Sequence, residues 1–560
     1  MVSKDLYLIL FLLAFQCPSF MSAQSNEALF SQLDRPFYVV GDDISCKIYL
    51  LSNSAASSQI VHAELLSPEG NVLIRQNLKV TDKTACGNFK IPLNWEEGNY
   101  LFRVYTLWQT DSTNATKACI FKKTVSIYND FTKRTTEGNA VFVAAPAIES
   151  TLLGGFKIEN QGKTTFERRD KVQLSFKVFD NQGQAVEANL SASVIEYTPL
   201  STNDILETFQ ETQSNLQRNK AISFQNMQPE TQLTVLGKVK DPQNEKPITD
   251  SYLSLYIPKQ RKFLRLTATE GLFKTNIDAF NDKTEVQILS LNPNRNYPLV
   301  IESIYNIGLP NYKAASRPVR TPEVEKYLQL NPTRRRIHDI FDPPSLPSKA
   351  KDTTAMAAAY QPDKSYNMKN YTDMNTVEDF VREIMLNCQV TTINNVKTVR
   401  LNNKDESKLY NFAPWYLIDG LFVSDEEAAL KLPLNGIEKI DVFNRKKTIE
   451  DHFDWLMFRY GVIAITTNKK MRLPSDWTFR TAEVAGFSSL PNRTTPSVSD
   501  TKIPDFRPLL TWQSQLKTDK TGTGLLTFTT SDIKGKHAVR IMGVSKDNKP
   551  IFGIFYIDVK

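Results

Sequence analysis

Residues 44–50 read Ile44-Ser45-Cys46-Lys47-Ile48-Tyr49-Leu50. Ile44, Cys46, Ile48 and Leu50 alternate with mostly polar neighbours. In an extended chain successive side chains point to opposite faces, so this pattern predicts a half-buried β-strand with Cys46 turned inward. The flanking sequence repeats the signal. Val72-Leu73-Ile74, Phe89-Lys90-Ile91 and Tyr100 to Tyr105 are short extended runs. Asn53-Ser54, Ser67-Pro68-Glu69-Gly70 and Glu97-Gly98-Asn99 punctuate them as turns. Short strands at intervals of roughly ten residues predict a β-sandwich, here spanning 24–128.

The same reading extends outward. KVQLSFKVFD (Lys171 to Asp180) and ANLSASVIE (Ala188 to Glu196) flank the turn Asp180-Asn181-Gln182-Gly183, predicting a second sandwich over 129–230. LTVLGKVKD (Leu233 to Asp241), with turns at Asp241-Pro242-Gln243-Asn244 and Glu270-Gly271, opens a third β unit over 231–320. Residues 321–375 read as a connector with one or two short helices, with Arg334-Arg335-Arg336 as a solvated face. Residues 376–470 are mixed. Val377 to Leu386 has amphipathic-helix spacing, Thr376 is its N-cap and Asp379 stands in the capping position. Strands follow at 415–418, 437–443 and 460–467. Residues 471–504 read as an extended linker, and 505–560 as a closing β domain ending in a hairpin of Ala538 to Val544 with Phe552 to Val559. The fold class expected is mainly β: tandem sandwiches plus one small α/β domain.

Composition narrows the function. The chain has 560 residues and a net charge of +7 from 68 Lys+Arg and 61 Asp+Glu. That length exceeds one hydrophobic core. The two signs are interleaved, which argues against a nucleic-acid footprint. Lys4 precedes an apolar run, Leu6 to Phe15, then Pro18 and Met21-Ser22-Ala23. This is the order of a secretory signal peptide over 1–23, cleaved after Ala23. The run is shorter than the about 20 residues that span a bilayer, and no later stretch is long and apolar enough. The expectation is an exported protein with no transmembrane span of its own. Cys46, Cys86 and Cys119 would then meet an oxidising compartment, which allows one disulfide among three pairings that spacing does not resolve. Buried reduced thiols are the alternative.

The motifs carry a family resemblance. Leu33-Asp34-Arg35-Pro36-Phe37-Tyr38 before Gly41-Asp42, and Gly98 to Thr106 later, resemble the macroglobulin-like domain of bacterial secreted proteins. Residues 166–196 resemble a later unit of the same kind. Residues 231–290, with Gly237-Lys238-Val239 before Lys246-Pro247-Ile248, are similar to the carboxypeptidase-regulatory-like sandwich. Pro414 to Gly420, Ile437 to Phe443 and Tyr460 to Thr467 resemble the plug domain of TonB-dependent outer-membrane receptors, with Tyr416, Asp419, Gly420, Tyr460 and Gly461 as its motif residues. The family's extra Gly-containing loop after Tyr-Gly is missing. Too little chain follows position 467 for a receptor barrel, so the plug-like domain reads as an orphan. The tail from Pro504 to Trp512, with Thr518-Asp519 and Ser531-Asp532, resembles the closing β domain of the macroglobulin-containing family.

Chemistry is sparse. Macroglobulin thioesters need Cys-Gly-Glu-Gln, but Cys86-Gly87 is followed by Asn88-Phe89. There is no nucleophile elbow, phosphate loop or zinc helix motif. His62, His338, His452 and His537 lie far apart, without a neighbouring His or Cys at ligand spacing. No catalytic residue, cofactor or metal site is expected. The expectation is a non-enzymatic protein of a Gram-negative envelope, in the periplasm or on the outer-membrane surface. It would bind or scaffold outer-membrane or envelope proteins. The alternative is a surface glycan- or nutrient-binding protein of an uptake system, with Trp108 or Trp415 as the stacking residue.

Overall fold

In the computed structural model the described residues are 27–52, 57–109, 120–132, 153–221, 229–292, 295–304, 317–341, 360–371, 373–386, 388–393, 396–423, 425–468, 480–488 and 504–560. The expected signal peptide and Cys119 lie outside them. Two compact units are present, one made of 1–231, 308–345 and 490–560, the other of 232–307 and 346–489. The fold is mainly β, as tandem sandwiches with one small α/β domain.

In the first unit, the leading sandwich is the one read from residues 44–50. Strand Asp43–Leu51 lies between Ala28–Leu33 and Thr84–Lys90, all antiparallel. Facing it is a five-stranded sheet in the order Phe37–Val39, Phe121–Tyr128, Gly98–Tyr105, Ile60–Leu66, Val72–Lys79. Ile44, Cys46, Ile48 and Leu50 are buried as the alternation predicts, but Lys47 and Tyr49 on the other face are buried too. A second sandwich covers that face.

That second sandwich corrects the expected boundaries. Strand Ala188–Glu196 pairs with Gly535–Ser545 on one side and Leu509–Lys517 on the other. Strand Lys171–Asp180 pairs with Thr523–Thr529 and Phe156–Asn160. The expected closing domain at 505–560 is therefore the other half of the sandwich begun at 156–196, and one core joins them through residues such as Leu190, Phe176, Leu526 and Ile541. Two strands cannot bury a core alone, so the segment must find sheet partners elsewhere in the chain. Helix α1 (Pro199–Ala221) packs beside both sandwiches.

The expected connector 321–375 also differs. Helix α2 (Pro322–Phe341) buries Val324, Tyr327 and Leu328 in the first unit's core. Arg336 is exposed, as a solvated face requires, but the two arginines before it are not. Arg334 pairs with Glu196 at 2.6 Å and lies over the Tyr327 ring, and Arg335 pairs with Asp130 at 3.0 Å. Arg320, just before α2, pairs with Glu97. Strand Lys364–Asn367, from the same expected connector, pairs instead with Ile437–Phe443 in the second unit.

In the second unit a β-sheet runs Arg295–Pro298, Lys283–Asn292, Asp250–Ile257, Lys262–Thr269, Leu272–Ile277, Leu233–Lys240, Val300–Ile304. Strand Ala482–Ala485, expected in an extended linker, adds to Lys283–Asn292. The α/β sheet runs Lys364–Asn367, Ile437–Phe443, Val462–Thr467, Trp415–Ile418, Leu421–Val423. Helices α3 (Val377–Glu383), α4 (Glu426–Leu430) and α5 (Lys446–His452) accompany it. The Thr376 hydroxyl accepts from the Asp379 amide while the Asp379 carboxylate accepts from Thr376, completing the expected N-terminal cap. Strand Trp415–Ile418 is buried on both faces. Tyr416 and Ile418 enter the core with α3 and α4, whereas Trp415 and Leu417 enter a second core with Tyr256, Leu289 and Leu291 of the neighbouring sheet. The regions expected as separate domains at 231–320 and 376–470 thus share apolar packing.

Candidate functional site

The macroglobulin-like motif closes a turn. The Asp34 Oδ1 accepts from the Tyr38 hydroxyl at 2.6 Å and from the Ser45 amide at 3.0 Å. Arg35 donates to Asp42 at 2.9 Å and to the Asp43 carbonyl at 3.0 Å, and Asp42 also accepts from the Val39 amide. Gly41 has φ +91°, and a Cβ there would come within 2.7 Å of Leu93. Asp34, Arg35, Tyr38 and Asp42 thus all hold the strand entry.

Between the two sandwiches lies a buried ionic cluster. Asp204 on α1 pairs with Arg540 and, at 2.6 Å, with Lys123, and all three are at most 5% exposed. Arg540 also donates to the Leu33 and Asp34 carbonyls. Lys47 donates to Asn189 at 2.6 Å and to the Leu190 carbonyl at 2.9 Å. Burial pushes the Lys47 ammonium down to about 8. Gln32, Ser191 and Tyr49 complete a chain of hydrogen bonds ending on the Met542 carbonyl. These groups spend their hydrogen bonds on joining domains.

Two further constellations resemble catalytic ones in type. His62 is 2% exposed, with one ring nitrogen 2.7 Å from Glu230 and the other 2.9 Å from Asn77. An acid–histidine pair needs a nucleophile on its second nitrogen to run acyl transfer, and here an amide oxygen takes that place. Glu64 accepts from Arg75, Arg103 and Tyr105. Burial would raise its carboxyl, but the two guanidiniums outweigh that and hold it below the usual range. His452 accepts from the Gln361 amide and His537 bonds to the Gly535 carbonyl. Among the described residues no group of three or more His, Cys, Asp or Glu stands ready for a metal.

Cys46, Cys86 and Cys388 carry free thiols. In the register Cys46 faces Gly87 while Cys86 faces Lys47, so the two thiols leave adjacent strands on opposite faces. The Cys46–Cys86 pairing considered from sequence is therefore not formed. Burial raises both thiols, away from the reactive thiolate.

The plug-like motif residues are brought together on adjacent strands. Asp419 (φ +47°) and Gly420 (φ +86°) form the two-residue loop between Trp415–Ile418 and Leu421–Val423. Two positive φ values are the type I′ requirement that Asp-Gly meets. The Asp419 carboxylate accepts from the Thr467 amide at 2.8 Å and hydroxyl at 2.6 Å, pinning the turn to the end of the next strand. Tyr416 donates to Glu426, which also accepts from Thr398 and Val399. Gly461 has φ +77°, and Tyr460 is fully buried against Phe412 and Trp415. All five have structural work.

One partly exposed aromatic pair of this unit was not singled out by sequence. Trp108 and Trp415, the candidates for stacking a ligand, are 2% and 3% exposed and belong to cores. Trp455 is 51% exposed. It opens a five-residue 3-10 helix, Trp455–Arg459, capped by the Asp454 side chain and anchored by buried Leu456 and Met457. Its ring stacks on Phe458, with centroids 6.0 Å apart and planes 12° apart. Arg265 lies 5.4 Å from the Trp455 ring, and Lys446 and Arg459 lie 5.3 and 5.8 Å from the Phe458 ring. The signal available in the sequence was the three-residue spacing of Trp455 and Phe458 beside basic residues.

No family model and no curated protein matches the chain. Among solved structures it is similar to Escherichia coli alpha-2-macroglobulin activated by porcine elastase, at 8% identity and a TM-score of 0.24, over 95% of this chain and 44% of that one. Salmonella alpha-2-macroglobulin reacted with methylamine gives 8% identity and 0.24, over 95% and 39%. The Escherichia coli adhesin FdeC gives 11% identity and 0.14, over 48% and 61%. The chain spans less than half the length of these macroglobulins. At these TM-scores the likeness carries no argument about this chain.

Proposed function

We propose that this is a non-enzymatic cell-envelope protein that binds an outer-membrane protein complex, with its β domains as the frame and a plug-like α/β domain carrying the contact surface. The observation that carries this reading is the half-exposed Trp455, held out by a capped helix with Arg265 beside its ring and Lys446 and Arg459 beside that of its neighbour Phe458. Tryptophan and arginine are the residue types that dominate protein-interface energetics. In support, the acids and histidines most suggestive of chemistry are spent internally: Asp204 on Arg540 and Lys123, Glu64 on two arginines, His62 on Glu230 and Asn77. Export by the 1–23 segment is part of the proposal. The test is chemical crosslinking and pull-down from the native envelope with the full chain. Recovery of a defined outer-membrane complex is the expected result, and absence of any envelope partner refutes the reading.

A further inference from the structure

Trp455, Phe458 and their cations form a surface whose complement can be specified. The rings stack on each other, and Arg265, Lys446 and Arg459 lie over them. The nearby acids are already committed. Asp454 caps the helix and sits 3.5 Å from Arg265, while Glu450 sits 3.9 Å from Lys446. Among the described residues no acid pairs with Arg459. The surface therefore offers an apolar centre, the positive charge of Arg459, and N–H donors on Arg265 and Lys446 beyond those their own acids take.

We infer that this surface docks an acidic segment of a partner protein, whose carboxylates meet Arg265, Lys446 and Arg459 and whose apolar side chains cover Trp455. The inference rests on the binding function proposed above and adds the chemistry of the partner. Charge complementarity selects carboxylates. An arginine donates two parallel N–H bonds to a carboxylate, and its cation–π contact holds the guanidinium in place beforehand. A neutral sugar fits poorly, because hydroxyl groups call for acceptors as well as donors. An acidic polysaccharide satisfies the charge but brings no apolar side chain to cover Trp455.

Fluorescence anisotropy with the full chain tests this. The probes are a fluorescein-labelled Glu/Leu peptide, its Lys/Leu counterpart, and polygalacturonate as competitor. The Glu/Leu peptide is expected to bind, more weakly as salt rises, and the Lys/Leu peptide to give no signal. Trp455→Ala should weaken binding at least tenfold, as loss of an interface anchor does, and Arg459→Glu should weaken it further. Leu525→Ala, exposed in the other unit, should leave binding unchanged. An unaltered thermal melt of Trp455→Ala shows that it folds. Equal binding by Trp455→Ala overturns the inference, as does Trp455-dependent binding of polygalacturonate in place of the peptide. Crosslinking separates the two levels. A Trp455→Ala chain that still captures the same envelope complex refutes this docking site and leaves the binding function standing. A wild-type chain that captures none refutes the function itself.

Discussion

Replacing Asp204 by alanine should be among the most damaging single changes in the first unit. Asp204 is the shared anion of Lys123 and Arg540, and none of the three is more than 5% exposed. The alanine variant leaves two cations out of water with carbonyl and hydroxyl hydrogen-bond partners, Leu33, Asp34 and Ser193 for Arg540 and Thr208 for Lys123, and with the Glu207 carboxylate acting on Lys123 from further off. Removing one member of a buried ion pair costs about 3–5 kcal/mol. The better helix propensity of alanine within α1 returns only about 0.5 kcal/mol. A net loss near 3–4 kcal/mol, at an m value of about 3 kcal/mol/M, moves a urea midpoint down by roughly 1 M. The assay is urea unfolding of the full chain, following the first unit by hydrogen exchange of strand Gly535–Ser545, because a two-unit chain has no single unfolding transition. The companion variant replaces all three charges by apolar residues of similar length, Asp204→Leu, Lys123→Met and Arg540→Met. Without a stranded charge it should be more stable than Asp204→Ala. A shift below about 0.3 M for Asp204→Ala, a cost under about 1 kcal/mol, would show that water reaches the cluster and would refute its role as a desolvated joint.

Three other outcomes follow from the geometry. Gly461→Ala should destabilise the second unit by about 1–2 kcal/mol from the left-handed backbone alone, with more from the Cβ placed 2.7 Å from Leu401, read as a lower melting temperature of that unit. Lys47 titrates near 8 in the fold against about 10.4 unfolded, so between those pH values the unfolded state holds the extra proton and stability rises with pH. That rise, up to about 3 kcal/mol, should be missing in Lys47→Met when denaturation is followed from pH 7.5 to 10. Finally, mass spectrometry of unreduced protein, alkylated after unfolding, should find Cys46 and Cys86 both modified. A Cys46–Cys86 bridge in those spectra would contradict the strand register.

Much of the local structure was legible. The alternation at 44–50 and the Thr376–Asp379 cap each depend on neighbours a few residues away, and each lies where expected. Residues 505–560 were correctly read as β, and their closing hairpin formed as expected, yet the other strands they pair with lie more than three hundred positions upstream. The spacing of Val324, Tyr327 and Leu328 is helical, but their burial depends on a core supplied by other segments. Arg334 and Arg335 read as a solvated run because nothing nearby announces Glu196 and Asp130.

The mainly β character of the chain, the missing Cys-Gly-Glu-Gln and catalytic motifs, and many of the turns can be read from the residues alone, because period and turn chemistry are short-range properties. Which half-sandwiches join, which charges are buried as pairs, and that Trp455 faces solvent while Trp108 and Trp415 do not, emerge only once distant segments are packed together. Burial depends on what the rest of the chain brings to a face. A tryptophan in a strand and one on a capped helix look alike in sequence until that covering is in place.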